Sequence, residues 1–188
     1  MLKIIITRFY EDTSWATALK HPYIIYNKNP KDKNLYEHNL PNKGLCEHTL
    51  FHYIVENYDN LPDYLANVQG NPFDHCTDIV ELINNFNFCG SHLPLGKCYY
   101  RDNEILIADV LQLAKDAKIE CPLPIKYVSG NQFIVSRESI LKRSKEAYIN
   151  VLNIYPETPK IYWDFTMEYI LPTILNFADE LKPINVSQ

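Results

Sequence analysis

No Cys-x-x-Cys pair occurs in this chain; its five cysteines (Cys46, Cys76, Cys89, Cys98 and Cys121) are odd in number and widely spaced. That excludes a zinc ribbon, argues against a disulfide framework and suggests a reducing compartment. An excess of positive charge is missing too. Eighteen Lys and Arg against 23 Asp and Glu give a net charge of −5, so no global basic field points to nucleic acid or to an anionic membrane. No apolar stretch approaches the ~20 residues that a membrane helix needs. The apolar run before Arg8 is too short for a signal peptide. Internal repeats and low-complexity tracts are absent as well. The expectation is a soluble, cytoplasmic protein without a membrane span or a nucleic-acid partner.

What is present fits an ordinary globular domain. The 188 residues, 46% of them hydrophobic and 22% charged, suffice for one α/β domain over 1–188. Leu2 to Thr7 (LKIIIT) is a β-branched run of the kind found in buried parallel strands. Asp12 or Thr13 is placed to cap a short helix reaching Leu19, and Tyr23 to Tyr26 reads as a second strand, closed by NKNPKDKN. Strand, helix and strand in so short a span predict a mostly parallel central sheet flanked by helices. The clearest helix is Glu47 to Tyr58, with Leu50, Phe51, Ile54, Val55 and Tyr58 on one face. Asp63 to Gln69 reads as a third strand, followed by a helix over Asp78 to Phe86. The stretch FCGSHLPLGKCYYRDN reads as a long irregular loop. Further helices are predicted over Glu104 to Lys118, Arg137 to Leu152 and Tyr162 to Leu181, and a strand interrupted at Gly130 over Lys126 to Ser136.

Ligands of open α/β sheets bind outside the carboxyl ends of the parallel strands. Four loops are candidates: Arg8 to Asp12, Asn27 to Pro30, Gln69 to His75, and Ser129 to Gln132. The segment LPNKGLCEHTLFH joins Gly44, Lys43 and a helix start, which together suit an anion such as a nucleotide diphosphate. Equally, Gly44 shapes the turn and Lys43 is solvated. His48 and His52, four apart beside Glu47, can face one metal. GNPFDH, at a strand end, offers Asn71, Asp74 and His75 to Mg²⁺ or Mn²⁺, or forms an Asx-turn. In YWDFTMEY, Asp164 and Glu168 lie four apart among aromatic rings, suiting general-base work on a hydroxyl or the pairing of an arginine such as Arg8, Arg137 or Arg143.

Several segments in order carry a resemblance: IIITRFYEDTSW, YNK, LPNKGLCEHTLFHYIVENYDNLPDYLANVQGNPFDH, GNQFIVSRESIL and YWDFTMEYILPTI. They resemble a domain family of unknown function from fungi, bacteria and large DNA viruses, whose members are distantly similar to A-type glycosyltransferases, the nucleotide-diphospho-sugar fold. The resemblance implies transfer of a sugar from a nucleotide donor to the hydroxyl of a glycan or other acceptor. It implies donor binding by Arg8, Tyr10, Glu11, Asn27, Asn42, Lys43, Gly44, Glu47 and His48. Acceptor binding falls to Gly130, Asn131, Gln132 and Trp163, catalysis to Glu168 with Asp164, and Mn²⁺ or Mg²⁺ to Asp74 and His75. Two departures stand out. Leu45 replaces the arginine of an Asn-x-Gly-Arg-Asp/Glu element that would run from Asn42 to Glu47. The Asp-x-Asp element expected after the third strand is replaced by QGNPFDH. The second departure leaves open a sugar- or nucleotide-binding module without catalysis. A metal-dependent hydrolase built on Glu47, His48, His52 and His75 is the third reading.

Overall fold

The computed structural model describes residues 1–87, 89–101, 104–156 and 161–182, without the side chains of 101, 104–107 and 161–165. Its strands are β1 (Leu2–Arg8), β2 (Tyr23–Asn27), β3 (His38–Asn39), β4 (Tyr64–Gln69), β5 (His92–Pro94), β6 (Cys98–Arg101), β7 (Ile125–Val128) and β8 (Phe133–Ser136). Its helices are α1 (Cys46–Asn57), α2 (Ile79–Asn84), α3 (Glu104–Asp116), α4 (Arg137–Leu141), α5 (Lys145–Asn153) and α6 (Ile161–Ile174). Six strands form the central sheet in the order β3-β2-β1-β4-β8-β5, and β6 pairs with β7 in a separate ribbon. Within the central sheet β3, β2, β1 and β4 are mutually parallel, and β8 runs antiparallel to both β4 and β5. The mostly parallel sheet is therefore as expected, with β8 as its reversed member.

The β-branched run of β1 has a side chain for each face. Ile5 joins a core cluster with Leu50, Phe51 and Ile54 of α1, Tyr148 of α5 and Ile170 of α6. Ile4 and Ile6 join the opposite cluster, with Ala16 and with Ile79 and Ile83 of α2. Period-two alternation thus puts each strand between two apolar layers, the condition that makes a parallel strand hydrophobic throughout. From β1 the chain builds outward through β2 to β3, then returns by α1 to β4 on the other flank of β1. The order in which strands are added thus reverses between the parallel β1 and β4, and in open α/β sheets such a switch point is where a crevice forms at the carboxyl ends.

Several expected boundaries are corrected. The loop expected at FCGSHLPLGKCYYRDN contains β5 and β6, whose lengths of three and four residues fall below what alternation can signal. The strand expected over Lys126 to Ser136 is divided at a turn with Gly130 at φ 70° and Asn131 at φ 54°, so β7 and β8 belong to different sheets. Ser129 to Gln132 still reaches the carboxyl end of β4, because β8 is antiparallel and begins there. The helix over Arg137 to Leu152 is two helices, the second restarted by Ser144, whose side chain accepts from the Ala147 N–H. The last helix ends at Ile174 rather than Leu181, with Asn176 left-handed at φ 60° just beyond it. The first helix is one 3₁₀ segment, Ser14–Ala18, and Asp12 bonds the Ser14 N–H beside it.

Candidate functional site at the carboxyl end of the sheet

Three strand ends build this region. Thr7 and Arg8 close β1, Asn27 closes β2 and is followed by Lys28, and Gln69 closes β4, with Thr7 opposite Gln69 and Arg8 opposite Asn27. Arg8 is buried and locked: its guanidinium donates to Asn27 Oδ1 (2.8 Å), Asp32 Oδ2 (3.0 Å) and the Glu11 carbonyl (3.2 Å), and lies 4.4 Å from the Tyr36 ring centroid. Glu11 folds back so that Oε2 accepts from the Phe9 and Tyr10 N–H groups. Its carboxylate sits over Gly70, where a Cβ would come within 2.9 Å of Glu11. Tyr10 is left exposed. The predicted donor residues Arg8, Glu11 and Asn27 thus shape the end of β1 through bonds to one another.

Lys28 was not among the expected residues. Only 3% exposed, it sends Nζ to the carbonyls of Lys43 (2.5 Å), Gly44 (2.9 Å) and Leu45 (2.6 Å). A buried ammonium needs acceptors for its three protons, and these carbonyls fix the loop that leads into α1. Its signal in the sequence is faint: Lys28 is one of three lysines in NKNPKDKN, and nothing in spacing marks it as the buried one. Gly44 adopts φ 52°, and a Cβ there would lie 2.4 Å from the Tyr155 ring, so this junction requires glycine. The N-cap of α1, Leu45, supplies no side-chain bond, leaving its first N–H groups without a side-chain cap.

The first turn of α1 feels charges of both signs. His48, 7% exposed and edge-on to Tyr155 at 5.1 Å, is held neutral: burial first, then the charges of Lys28, His52 and Lys43, carries its pKa from 6.5 to about 3. Its Nδ1 has no hydrogen-bond partner among the described residues. Burial and the carboxylates of Glu47 and Glu168 push the Cys46 thiol well above its ordinary value, against the opposing pull of Lys28. Glu168, half-buried on α6, is close enough for its charge to be felt at Cys46. Asn42 is exposed at the mouth of the same loop. Asp164 and Trp163 have side chains outside the described residues.

Gly130, Asn131 and Gln132 come to this end as predicted, all buried. The Asn131 side-chain amide donates to Glu47 Oε1, the Gly130 carbonyl accepts from Gln69 Nε2 (2.9 Å), and Gln132 Nε2 donates to the Pro72 carbonyl (3.0 Å). These residues brace β4, α1 and the 70–75 loop against each other. Asp74 and His75 stand exposed on that loop: Asp74 Oδ2 accepts from Asn71 Nδ2 (3.0 Å), and His75 Nδ1 lies 3.0 Å from Ser129 Oγ. A divalent cation of the Mg²⁺ type needs several oxygen ligands around it. Among the described residues no three of His, Cys, Asp and Glu gather where they could hold a metal. Asp74 and His75 therefore do not fit a protein-built metal site. Nor do the hydrolase candidates assemble: Glu47 faces Asn131, His48 faces Tyr155, and His52 pairs with Glu56 at 3.3 Å. The arginines proposed as partners of Asp164 are engaged elsewhere, Arg8 with Asp32, Arg137 with Asp63 (3.0 Å), and Arg143 with the Thr173 and Ile174 carbonyls.

No protein-family model matches the chain, and no curated protein matches it. Among solved structures, glucosyl-3-phosphoglycerate synthase from Mycobacterium tuberculosis in complex with uridine diphosphate is similar over 94% of this chain and 68% of that one, at 10% identity and a TM-score of 0.44. No helix among the described residues is long and apolar enough to cross a membrane.

Proposed function

We propose that the chain binds a nucleotide-diphospho-sugar at the carboxyl end of β1, β2 and β4 and transfers the sugar to an acceptor hydroxyl. The uncapped start of α1, reached from a glycine turn, carries this reading. It lacks a side-chain cap and lies beside Lys28 and Lys43, whose charges are felt at His48. Free N–H groups of a helix start and neighbouring ammonium groups are what a diphosphate needs. Glu47 lies in the same turn, and its charge and that of Glu168 on α6 are felt at Cys46. In the proposed complex the Lys43 to Leu45 loop and the first N–H groups of α1 hold the diphosphate. Asn42 lines the approach, and Arg8, Glu11 and Asn27 keep the β1 and β2 ends in place. No step is assigned to a metal ion.

The test is a thermal-shift panel of UDP- and GDP-sugars, with and without Mn²⁺, on the wild-type chain and on Lys43→Glu. A donor at 100 times its Kd should stabilise the wild type by about 2.7 kcal/mol, and Lys43→Glu should abolish most of the shift. Slow donor hydrolysis in the same samples marks a transferase. Binding with no turnover under any condition would make the chain a binding module, favoured by the way its site residues bond to one another. No shift from any nucleotide sugar would overturn the proposal.

A further inference from the structure

Beside the donor end lies a cleft of about 630 Å³. It is lined among others by Phe73, Asp74, His75, Asp78, Lys97 and Lys182. Two glycines make the corner at its rim. A Cβ on Gly130 would meet His75 Cδ2 at 2.4 Å, so the imidazole lies directly against that backbone, and a Cβ on Gly96 would meet the Ser129 carbonyl at 2.3 Å. Ser129, brought in by Gly96, holds His75 Nδ1 at 3.0 Å. The ring is therefore oriented by these two contacts while remaining exposed, and its Nε2 has no hydrogen-bond partner among the described residues. Phe73, 37% exposed, is steadied edge-on by Trp15 (5.8 Å), and Trp15 is itself bonded to the Gly70 carbonyl (2.8 Å). The cleft is thus continuous with the β4 loop that closes on Glu11.

From this geometry we infer that the cleft is the acceptor subsite for a neutral, polyhydroxylated ligand of the pyranose type, with His75 as the base that takes the acceptor proton and Ser129 as the residue that positions it. This rests on the donor reading above. The six lining residues named bring two carboxylates and two ammonium groups, which balance and give an ion no net attraction. They also offer acceptors and donors for hydroxyl groups. Phe73 presents the flat apolar face on which the C–H side of a sugar ring rests. Glu168 was the base expected from the sequence, but it stands half-buried against the start of α1 rather than on this cleft. In the step itself, the acceptor O–H gives its proton to His75 Nε2 and the oxygen forms the new bond to the anomeric carbon. The bond from that carbon to the diphosphate oxygen breaks, the electron pair leaves with the nucleotide, and His75 later returns its proton to solvent. For this role Nδ1 must carry the hydrogen and donate it to Ser129 Oγ, since only then is Nε2 an acceptor.

That requirement is testable without any substrate. Ring ¹⁵N NMR of the full chain, with His75→Gln to assign the signal, should show the Nδ1–H tautomer of His75 at neutral pH, and Ser129→Ala should remove the bias. An Nε2–H tautomer would overturn the proposal, because the pair would then be a serine donating to a histidine. Saturation-transfer NMR with maltose, cellobiose and mannobiose tests the ligand class. Phe73→Ala should weaken binding at least about tenfold, and failure of all three disaccharides to bind the wild type would sink the pyranose assignment. With a nucleotide sugar that binds, His75→Gln should lower acceptor-dependent nucleotide release about 10²–10⁴-fold and erase its acidic pH limb, leaving donor affinity intact. If the limb persists in His75→Gln and vanishes in Glu168→Gln, the base is misassigned. If no nucleotide sugar binds the wild type, the donor reading falls, while the tautomer and disaccharide results still judge the cleft.

Discussion

Two loops bracket the region from Leu40 to His75, and they are built in opposite ways. The loop before α1 is held from inside. Lys28 gathers three of its carbonyls, Gly44 lies under Tyr155, and Glu47 binds Asn131 out of solvent. The loop after β4 is held from beneath by backbone and neutral groups, with the Pro72 carbonyl tied to Gln132 and His75 laid on Gly130, and it leaves Phe73, Asp74 and His75 exposed. The first presents backbone over a buried charge, and the second presents exposed side chains.

The contrast breaks most completely at Lys28. Lys28→Met keeps the apolar stem but removes the ammonium from three carbonyls, where even one hydrogen bond to a charged group is worth about 1.5–3 kcal/mol. Urea unfolding should show a loss in that range, and the Lys43 to Leu45 loop should lose its hydrogen-exchange protection. A loss below about 1 kcal/mol would mean that the loop stands without Lys28.

Gly44→Ala is expected to cost about 2–3 kcal/mol, combining a left-handed backbone at φ 52° with a Cβ set 2.4 Å from the Tyr155 ring. Tyr155→Leu should relieve part of it, so the double variant should be less destabilised than the two single changes added together. Strict additivity would place the strain in the backbone alone.

These two positions also show what could be read from the sequence. β1 and β2 were legible as continuous apolar runs, and α1 because its apolar residues repeat at a helical period. Gly44 was legible as a special position because a loop, a glycine and a helix follow one another. Lys28 and Ser129 were not, since their roles come from tertiary approach: one carries its ammonium to a loop 15 residues on, the other meets His75 across 54 residues. β5 and β6 escaped notice because so few residues cannot display a period. His75 was picked out as a candidate metal ligand, and its contact with Ser129 was not foreseen. A His beside an Asp at a strand end suggests a metal ligand, and no spacing in the sequence points to Ser129 as its neighbour.

A titration sharpens the comparison further. His48 has its folded pKa depressed from 6.5 to about 3, so below pH 6.5 the unfolded chain binds a proton that the folded chain refuses. Stability from this group is present above pH 6.5 and is lost as pH falls towards 3, at about 1.4 kcal/mol per pH unit within that window. Unfolding free energies at a series of pH values should show this acid limb in the wild type and a flatter one in His48→Gln. An acid limb as steep in His48→Gln as in the wild type would show that His48 is not the group responsible.

The smallest expected loss of stability is at Gly130→Ala, yet it is the change that reports most directly on the open loop. The new Cβ meets the His75 imidazole at 2.4 Å, but His75 is exposed and can swing aside, so what remains is chiefly the cost of a left-handed alanine at φ 70°, about 1 kcal/mol. Swinging the ring must break the Ser129 bond. Gly130→Ala should therefore barely shift the unfolding midpoint while abolishing the tautomer bias of His75, the reverse of Gly44→Ala, which should shift the midpoint and leave His75 as it was. A large stability loss at Gly130 with an undisturbed His75 signal would show that the imidazole is wedged in place by the fold, and the loop after β4 would then be as rigidly built as the loop before α1.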